Sequence, residues 1–238
     1  MPFHFHIPTR GQPQVGQDLV LDSDRSNYVT RVLRIRKGEQ LRCFDGAGLA
    51  FRAELMAPST RDARLRVVEL ANTEPMLSPS IALGLSMIKG PGQDRAIASA
   101  TELGAQEIYL LNSDRSNVRL NATRQDNKLS HWQKVAISAT EQCGRLHVPQ
   151  VHLANLDELL ANRPPAELAV LDASGGTIPT PPVTQDRLIL IGPEGGWSEK
   201  EMAYFKQSGV DIWHLGQHTL RAETAPAVVL ALLQIPRT

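Results

Sequence analysis

The chain has 238 residues, 42% hydrophobic and 21% charged, with 25 Lys and Arg balancing 25 Asp and Glu. That length can bury a sizeable core in one large domain or two, and no apolar run approaches the ~20 residues a membrane span needs. Two cysteines, Cys43 and Cys143, argue against a disulfide framework or a cysteine-rich metal site, and MPFHFHIPTR lacks a signal-peptide layout, so the cytoplasm is the expected address.

In chain order, Asp22 or Ser23 can cap a short helix through Val32. The stretch RVLRIRKGEQLR follows and concentrates Arg31, Arg34, Arg36, Lys37 and Arg42. Residues 1–72 carry 11 Lys and Arg against 8 Asp and Glu, a net +3, whereas the remainder carries 14 against 17, a net −3. A local basic face of this kind suits phosphates, although a solvated helix end has the same composition. Three β-like runs come next, QLRCFD, LAFRAELM and ARLRVVEL, the first two joined by the tight DGAG turn at Asp45–Gly48. Residues 1–72 therefore read as a small β-rich, barrel-like module. The proline-containing, aperiodic ANTEPMLSPS (Ala71 to Ser80) marks its boundary with a second domain over 73–238.

Beyond the boundary, strands and helices alternate. IALGLSM, EIYLLN, ELAVLDA, RLILIG and VDIWHLG read as strands. QDRAIASATELG, ending at Gly104, and RQDNKLSHWQKVAISATEQCG read as helices. SEKEMAYFKQSG is a third helix, with Ser198 and Glu201 spaced as a capping box. ETAPAVVLALLQ closes the chain as an apolar helix, and PTPPVTQD (Pro179 to Asp186) is a local loop. Alternation of this kind predicts an α/β domain with a mostly parallel sheet covered on both faces. Three strands run into turns rich in glycine or small residues: LDASGGT, IGPEGGWS and HLGQHTLRAET. Ligands of open parallel sheets bind at such carboxyl ends. GPEGGW is neither a dinucleotide fingerprint nor a P-loop; its glycines instead permit unusual backbone angles and a close ligand approach. His4 with His6, and His214 with His218, lack a third ligand, so no metal is expected. Buried packing is the commoner fate of Trp132, Trp197 and Trp213.

Taken together, LIGPEGGWSEKEM, LGQHTLRAETAPAVVLALLQ, TELGAQEIYLLNSDRSNV, WQKVAISATEQCGR and YVTRVLRIRKGEQLRCFDGAG resemble the small-subunit ribosomal RNA uridine-N3 methyltransferases. These form the RsmE family of the SPOUT superfamily. The resemblance spans nearly the whole chain in order, and IGPEGG followed by LG-x-x-x-LR-x-ETA is its most specific part. It implies a PUA-like RNA-binding module ahead of a SPOUT domain folded through a trefoil knot. It also implies S-adenosylmethionine as cofactor, a homodimer with no membrane or metal partner, and 16S ribosomal RNA or the small ribosomal subunit as substrate. Cofactor contacts are implied at Leu171, Ile191, Gly192, Glu194, Gly195, Gly196, Leu215, Gly216, Leu220 and Thr224.

Transfer to N3 of uridine, a weak acid, needs either a proton acceptor or a cation that stabilises the anion. Arg221 and Glu223 of LRAET are the catalytic candidates. The arginine would stabilise negative charge or position a phosphate; the glutamate would accept a proton or hold Arg221 in place. Arg31, Arg34, Arg36, Lys37 and Arg145 are the candidate RNA contacts, Arg145 equally a candidate for the partner subunit. Ala98 and Ser99 stand where the family often has Gln-Lys, and Pro226 falls early in the last helix, where proline is tolerated. A non-catalytic RNA-binding or ribosome-assembly protein on the same fold is the alternative function.

Overall fold

The two halves of the chain form sheets of different type. In the first, β1 (Phe5–His6) runs parallel to β3 (Gln40–Phe44), which continues antiparallel through β4 (Leu49–Ala57) to β5 (Arg64–Thr73), with β2 (Asp18–Val20) on the far edge of β5. The structure is a computed structural model and describes residues 4–9, 11–116, 122–164, 167–179 and 184–234. The first and last residues of MPFHFHIPTR, the middle of the PTPPVTQD loop and the end of the NSDRSNV segment lie outside these. In the DGAG turn the Asp45 carboxylate accepts from the amides of Ala47 and Leu49, the local bonding that lets Asp replace a backbone partner in tight turns. α1 (Ser23–Asn27) starts at Asp22, whose side chain accepts from the Arg25 amide, and continues as a π-helical turn over Tyr28–Val32.

This first unit comprises the residues up to Met76 together with Thr140–Val148. A single cut at residue 72 separates those segments. They belong together because the DGAG turn packs on CGRLHV: the Gly48 amide donates to the Leu146 carbonyl at 3.1 Å, and a Cβ on Gly48 would lie 2.6 Å from the His147 ring. Phe44, Ala50 and Leu146 bury one another there. The rest of the core, Phe5, Leu41, Phe51, Leu55 and Leu65 among them, lies on the inward face of the strands.

The second unit, Leu77–Ala139 with the residues from Pro149 on, holds six parallel strands. These are β6 (Ile81–Ser86), β7 (Glu107–Asn112), β8 (Gln150–Asn155), β9 (Leu168–Thr177), β10 (Arg187–Ile191) and β11 (Asp211–His214), in the order β11-β9-β10-β6-β7-β8. Every pairing among them is parallel. β6 is buried at all six positions, because helices cover both faces. Ile81, Leu83, Leu85, Ile189 and Ile97 of α2 (Gly92–Glu102) share one cluster with Val229 and Leu230 of α6 (Ala225–Gln234). Ala82, Leu188 and Leu190 pack on the other side with Leu159 of α4 (Leu156–Ala161) and Phe205 of α5 (Glu199–Gln207). Apolar runs bury both faces where alternating patterns bury one. Trp132 of α3 (Ala122–Cys143), Trp197 and Trp213 are all buried.

Two features depart from the sequence-based expectation. β8 and the short α4 after it were not anticipated; β8 is an edge strand bonded only to β7, and QVHLAN mixes polar residues into its alternation. LDASGGT is also not a simple turn, since β9 continues to Thr177. β11 pairs Ile212 with Val170 and then slips to Trp213 with Gly176, so Leu171–Gly175 bulge out without partners on β11. Gly175 allows the crossing: a Cβ there would lie 2.5 Å from the Ile212 carbonyl oxygen. Bulges re-aim side chains and recur beside sites.

Candidate active site

The parallel sheet delivers its ligand-facing loops at the carboxyl ends of β9, β10 and β11, the edge where open α/β sheets bind ligands. The β9 bulge offers Leu171, Asp172 and Ala173, with Asp172 accepting from the amide and hydroxyl of Ser174. After β10, Pro193 accepts from the Gly196 amide at 2.8 Å, and Gly196 takes φ +66°, where a side chain is strained. After β11, the Gly216 amide donates to His214 Nδ1 at 3.1 Å and Gly216 takes φ +112°.

These loops line one cavity of about 620 Å³, within the ~300–1,000 Å³ of small-molecule sites. Leu171, Ile191, Gly192, Glu194, Gly195, Gly196, Leu215, Gly216 and Leu220 are all in its wall, with Arg221 beside them. Thr224 and Glu223 are not among the lining residues, and Thr224 is exposed. Gln217, His218 and Thr219 also face the cavity, contributors that no spacing in the sequence singles out.

Trp197 ties the first two loops together. It is 4% exposed, its indole N–H donates to the Leu171 carbonyl at 3.2 Å, and its ring meets Phe205 edge-on at 5.2 Å. A Cβ on Gly192 would sit 3.2 Å from this ring, so glycine lets the indole close over the turn. Behind the loop, Ser198 and Glu201 form the expected capping box. Asp114 accepts from the Ser198 hydroxyl at 2.7 Å, and its amide donates to Glu201 at 3.0 Å. Arg115 donates to the Gly195 carbonyl at 3.1 Å. The SDRS segment after β7, Ser113–Ser116, thus braces GPEGG through Asp114 and Arg115, a role its own sequence does not announce.

At the rim, Arg221 Nη1 lies 4.0 Å from Glu223 Oε1, and Arg95 of α2 donates to the same oxygen at 3.2 Å. The Glu223 side chain is 18% exposed and that of Arg221 84%. Its own backbone amide, then Arg95 and Arg221, hold the Glu223 carboxyl below the usual range. A carboxylate stabilised in this way is a weaker base, suited to orienting two guanidinium groups. Arg95 was not a sequence candidate; it stands 128 positions from Glu223.

In the first unit Arg31, Arg34, Arg36 and Lys37 are all exposed, and Arg34 holds φ +56°. Arg145 differs from them. It is half-buried, and burial pushes its guanidinium below the usual range, with Glu74 opposing that shift. Among the described residues no group of three His, Cys, Asp or Glu could hold a metal ion, and no helix is long and apolar enough to cross a membrane.

A family model for the RNA methyltransferase domain matches residues 76–234, which include all three cavity loops and Arg221. The chain belongs to the RNA methyltransferase family. A second model, the RNA methyltransferase PUA domain, matches residues 21–68 of the first unit. Within the family, Ribosomal RNA small subunit methyltransferase E of Synechocystis is 30% identical over 224 residues, covering 90% of this chain and 71% of the relative. The Bacillus subtilis protein of the same name is 25% identical, covering 98% and 96%. Among solved structures, the Neisseria gonorrhoeae enzyme of that name bound to S-adenosyl methionine is 28% identical, with a TM-score of 0.85 and coverage of 98% and 97%. A Legionella pneumophila protein with bound SAM, also 28% identical, gives 0.89 over 98% and 97%.

Proposed function

We propose that this protein is an S-adenosylmethionine-dependent methyltransferase that modifies N3 of a uridine in 16S ribosomal RNA, acting in the cytoplasm as a homodimer. The observation that carries this reading is the convergence of three loops on one cavity with Arg221 at its rim, in a chain of the RNA methyltransferase family. The relatives' shared name supports ribosomal RNA of the small subunit as substrate, and two similar structures hold the cofactor. The trefoil-knotted path implied by the family resemblance is part of the same reading.

The cavity suits the cofactor in size and chemistry. Gly192, Gly196 and Gly216 expose main-chain groups where side chains would intrude or strain the turn. Leu171, Ile191, Leu215 and Leu220 give apolar wall and Glu194 a polar group. S-adenosylmethionine supplies a methyl carbon activated by its sulfonium. The protein must hold the uracil in line with that carbon, an orientation effect worth several kcal/mol.

It must also favour loss of the N3 proton. Arg221, mostly exposed on the rim, places a permanent cation where negative charge would develop on the uracil. Glu223 keeps that cation in place, shared with Arg95, and leaves the proton to another acceptor. Arg31, Arg34, Arg36 and Lys37 hold RNA phosphates, which position the substrate without reading its sequence.

The test uses small subunits from a strain lacking N3-methyluridine, tritiated S-adenosylmethionine and mass spectrometry of the product. Wild type is expected to restore a single N3-methyluridine. Arg221→Ala is expected to bind cofactor normally and transfer no methyl group. Methylation of another atom would remove the assignment of N3, and undiminished turnover of Arg221→Ala would remove its catalytic role.

A further inference from the structure

The sheet of the first unit carries a second cavity, of about 380 Å³, that none of the roles above uses. Arg42 on β3 and Arg52 on β4 are direct cross-strand partners, and Arg52 faces Glu69 of β5 on its other side. All three side chains are exposed on one face, with Glu69 Oε2 at 3.5 Å from Arg52 Nε. Like charges directly opposite each other across two strands are unfavourable. Arg42 has no ion-pair partner among the described residues, and one solvated carboxylate offsets little of the repulsion. The sheet therefore tolerates a pair of guanidinium groups that its own stability does not call for.

A second, independent feature lies in the same cavity. His4 is among its lining residues, and His4 Nδ1 is shielded from solvent with no hydrogen-bond partner among the described residues. Burial and then Arg42 push its imidazole below the ordinary value, so the ring is neutral at physiological pH. An orphaned polar atom of this kind is costly in the free protein. The two exposed guanidinium groups call for a ligand that brings negative charge to the cavity. Glu69 and Asn72 complete the polar part of that wall, and the exposed carboxylate can only accept hydrogen bonds. The ligand thus combines an anion with a hydroxyl donor.

We propose that this cavity is a ribonucleotide subsite. Arg42 and Arg52 hold one phosphodiester of a single-stranded RNA segment, and Glu69 accepts from the neighbouring ribose 2′-hydroxyl. The subsite is distinct from the exposed Arg31–Lys37 strap and gives the first unit a preference for RNA over DNA, which phosphate contacts alone do not supply. It deepens the proposed function, resting on that reading only in taking RNA as the substrate.

The test is binding of fluorescent single-stranded 16S-derived RNA, and DNA of the same sequence, to the full chain across a potassium chloride series. For Arg42→Gln with Arg52→Gln, the slope of log affinity against log salt is expected to fall by about 0.7, the value of one single-strand phosphate contact. Lysine at both positions is expected to keep the slope but weaken binding, because the charge stays and the fork is lost. Glu69→Gln is expected to shrink the ratio of RNA to DNA affinity. Cofactor affinity serves as the control and should hold in all variants, and the glutamine pair should melt no lower than wild type because it removes the facing charges. An unchanged slope in the glutamine pair, with the whole salt dependence residing in the Arg31–Lys37 strap, overturns the subsite. So does an RNA-to-DNA ratio that ignores Glu69. Neither result touches methyl transfer, which is read separately from Arg221→Ala on small subunits; a wild-type chain that binds no single-stranded RNA overturns the subsite alone.

Discussion

Replacing Trp197 by phenylalanine tests whether the first two cavity loops act as one cradle. The change deletes the N–H that donates to the Leu171 carbonyl at 3.2 Å and trims a ring that is 4% exposed. The acceptor borders the cavity and regains some hydration, so the lost bond should cost about 1 kcal/mol, the low end for an orphaned partner. Trimming a buried aromatic adds about 1–2 kcal/mol through lost contacts and residual space. For a chain of this size, that total corresponds to a melting temperature lower by about 5–10 °C. The share carried by the Leu171 bond should also appear in ligand affinity, as about a fivefold higher Kd for S-adenosylmethionine. Calorimetric melting and titration measure the two effects separately. Phe205→Leu is the control, because Phe205 packs on the same indole without joining the loops; it should lower the melting temperature and leave Kd alone. A Trp197→Phe protein that melts early yet binds cofactor like wild type would refute the coupling and reduce Trp197 to core packing.

Three further outcomes follow from the same geometry. Glu223→Gln keeps hydrogen-bonding groups for Arg95 and Arg221 and should retain measurable turnover with unchanged cofactor affinity; turnover lost at every pH, with cofactor still bound, would make Glu223 the proton acceptor instead. Arg34→Gly relieves a left-handed backbone angle, φ +56°, at the expense of a freer unfolded chain. Stability in denaturant should therefore stay within about 1 kcal/mol, while RNA affinity falls and its salt slope drops by about 0.7. His6 is buried beside Arg25, and burial, then that cation, lower its pKa from 6.5 to about 4. Between those values the unfolded chain binds the proton and the folded chain does not, so stability is fully present above the unfolded pKa. It declines as pH falls through that window, by about 1.4 kcal/mol per unit. Urea unfolding at several pH values should show this decline, and His6→Gln should flatten it; an equal decline in the variant would assign it to other groups.

Sequence alone determined the elements that local chemistry specifies. The Ser198–Glu201 capping box, the DGAG hairpin and the doubly buried strand runs appear where their patterns place them, because caps, turns and apolar periodicity act over a few residues. The likeness of GPEGG and LG-x-x-x-LR-x-ETA to a known family supplied the chemistry that periodicity could not. What only the tertiary structure decided is long-range. The strand order β11-β9-β10-β6-β7-β8 brings three distant loops to one cavity. The slipped β9–β11 register turns an expected turn into a bulge, and Thr140–Val148 joins the first unit. Arg95 reaches Glu223 across 128 positions and Arg115 reaches Gly195 across 80. Such contacts depend on how the sheet aligns segments that share no local signal, and a carboxylate between two arginines exists only once that alignment is made.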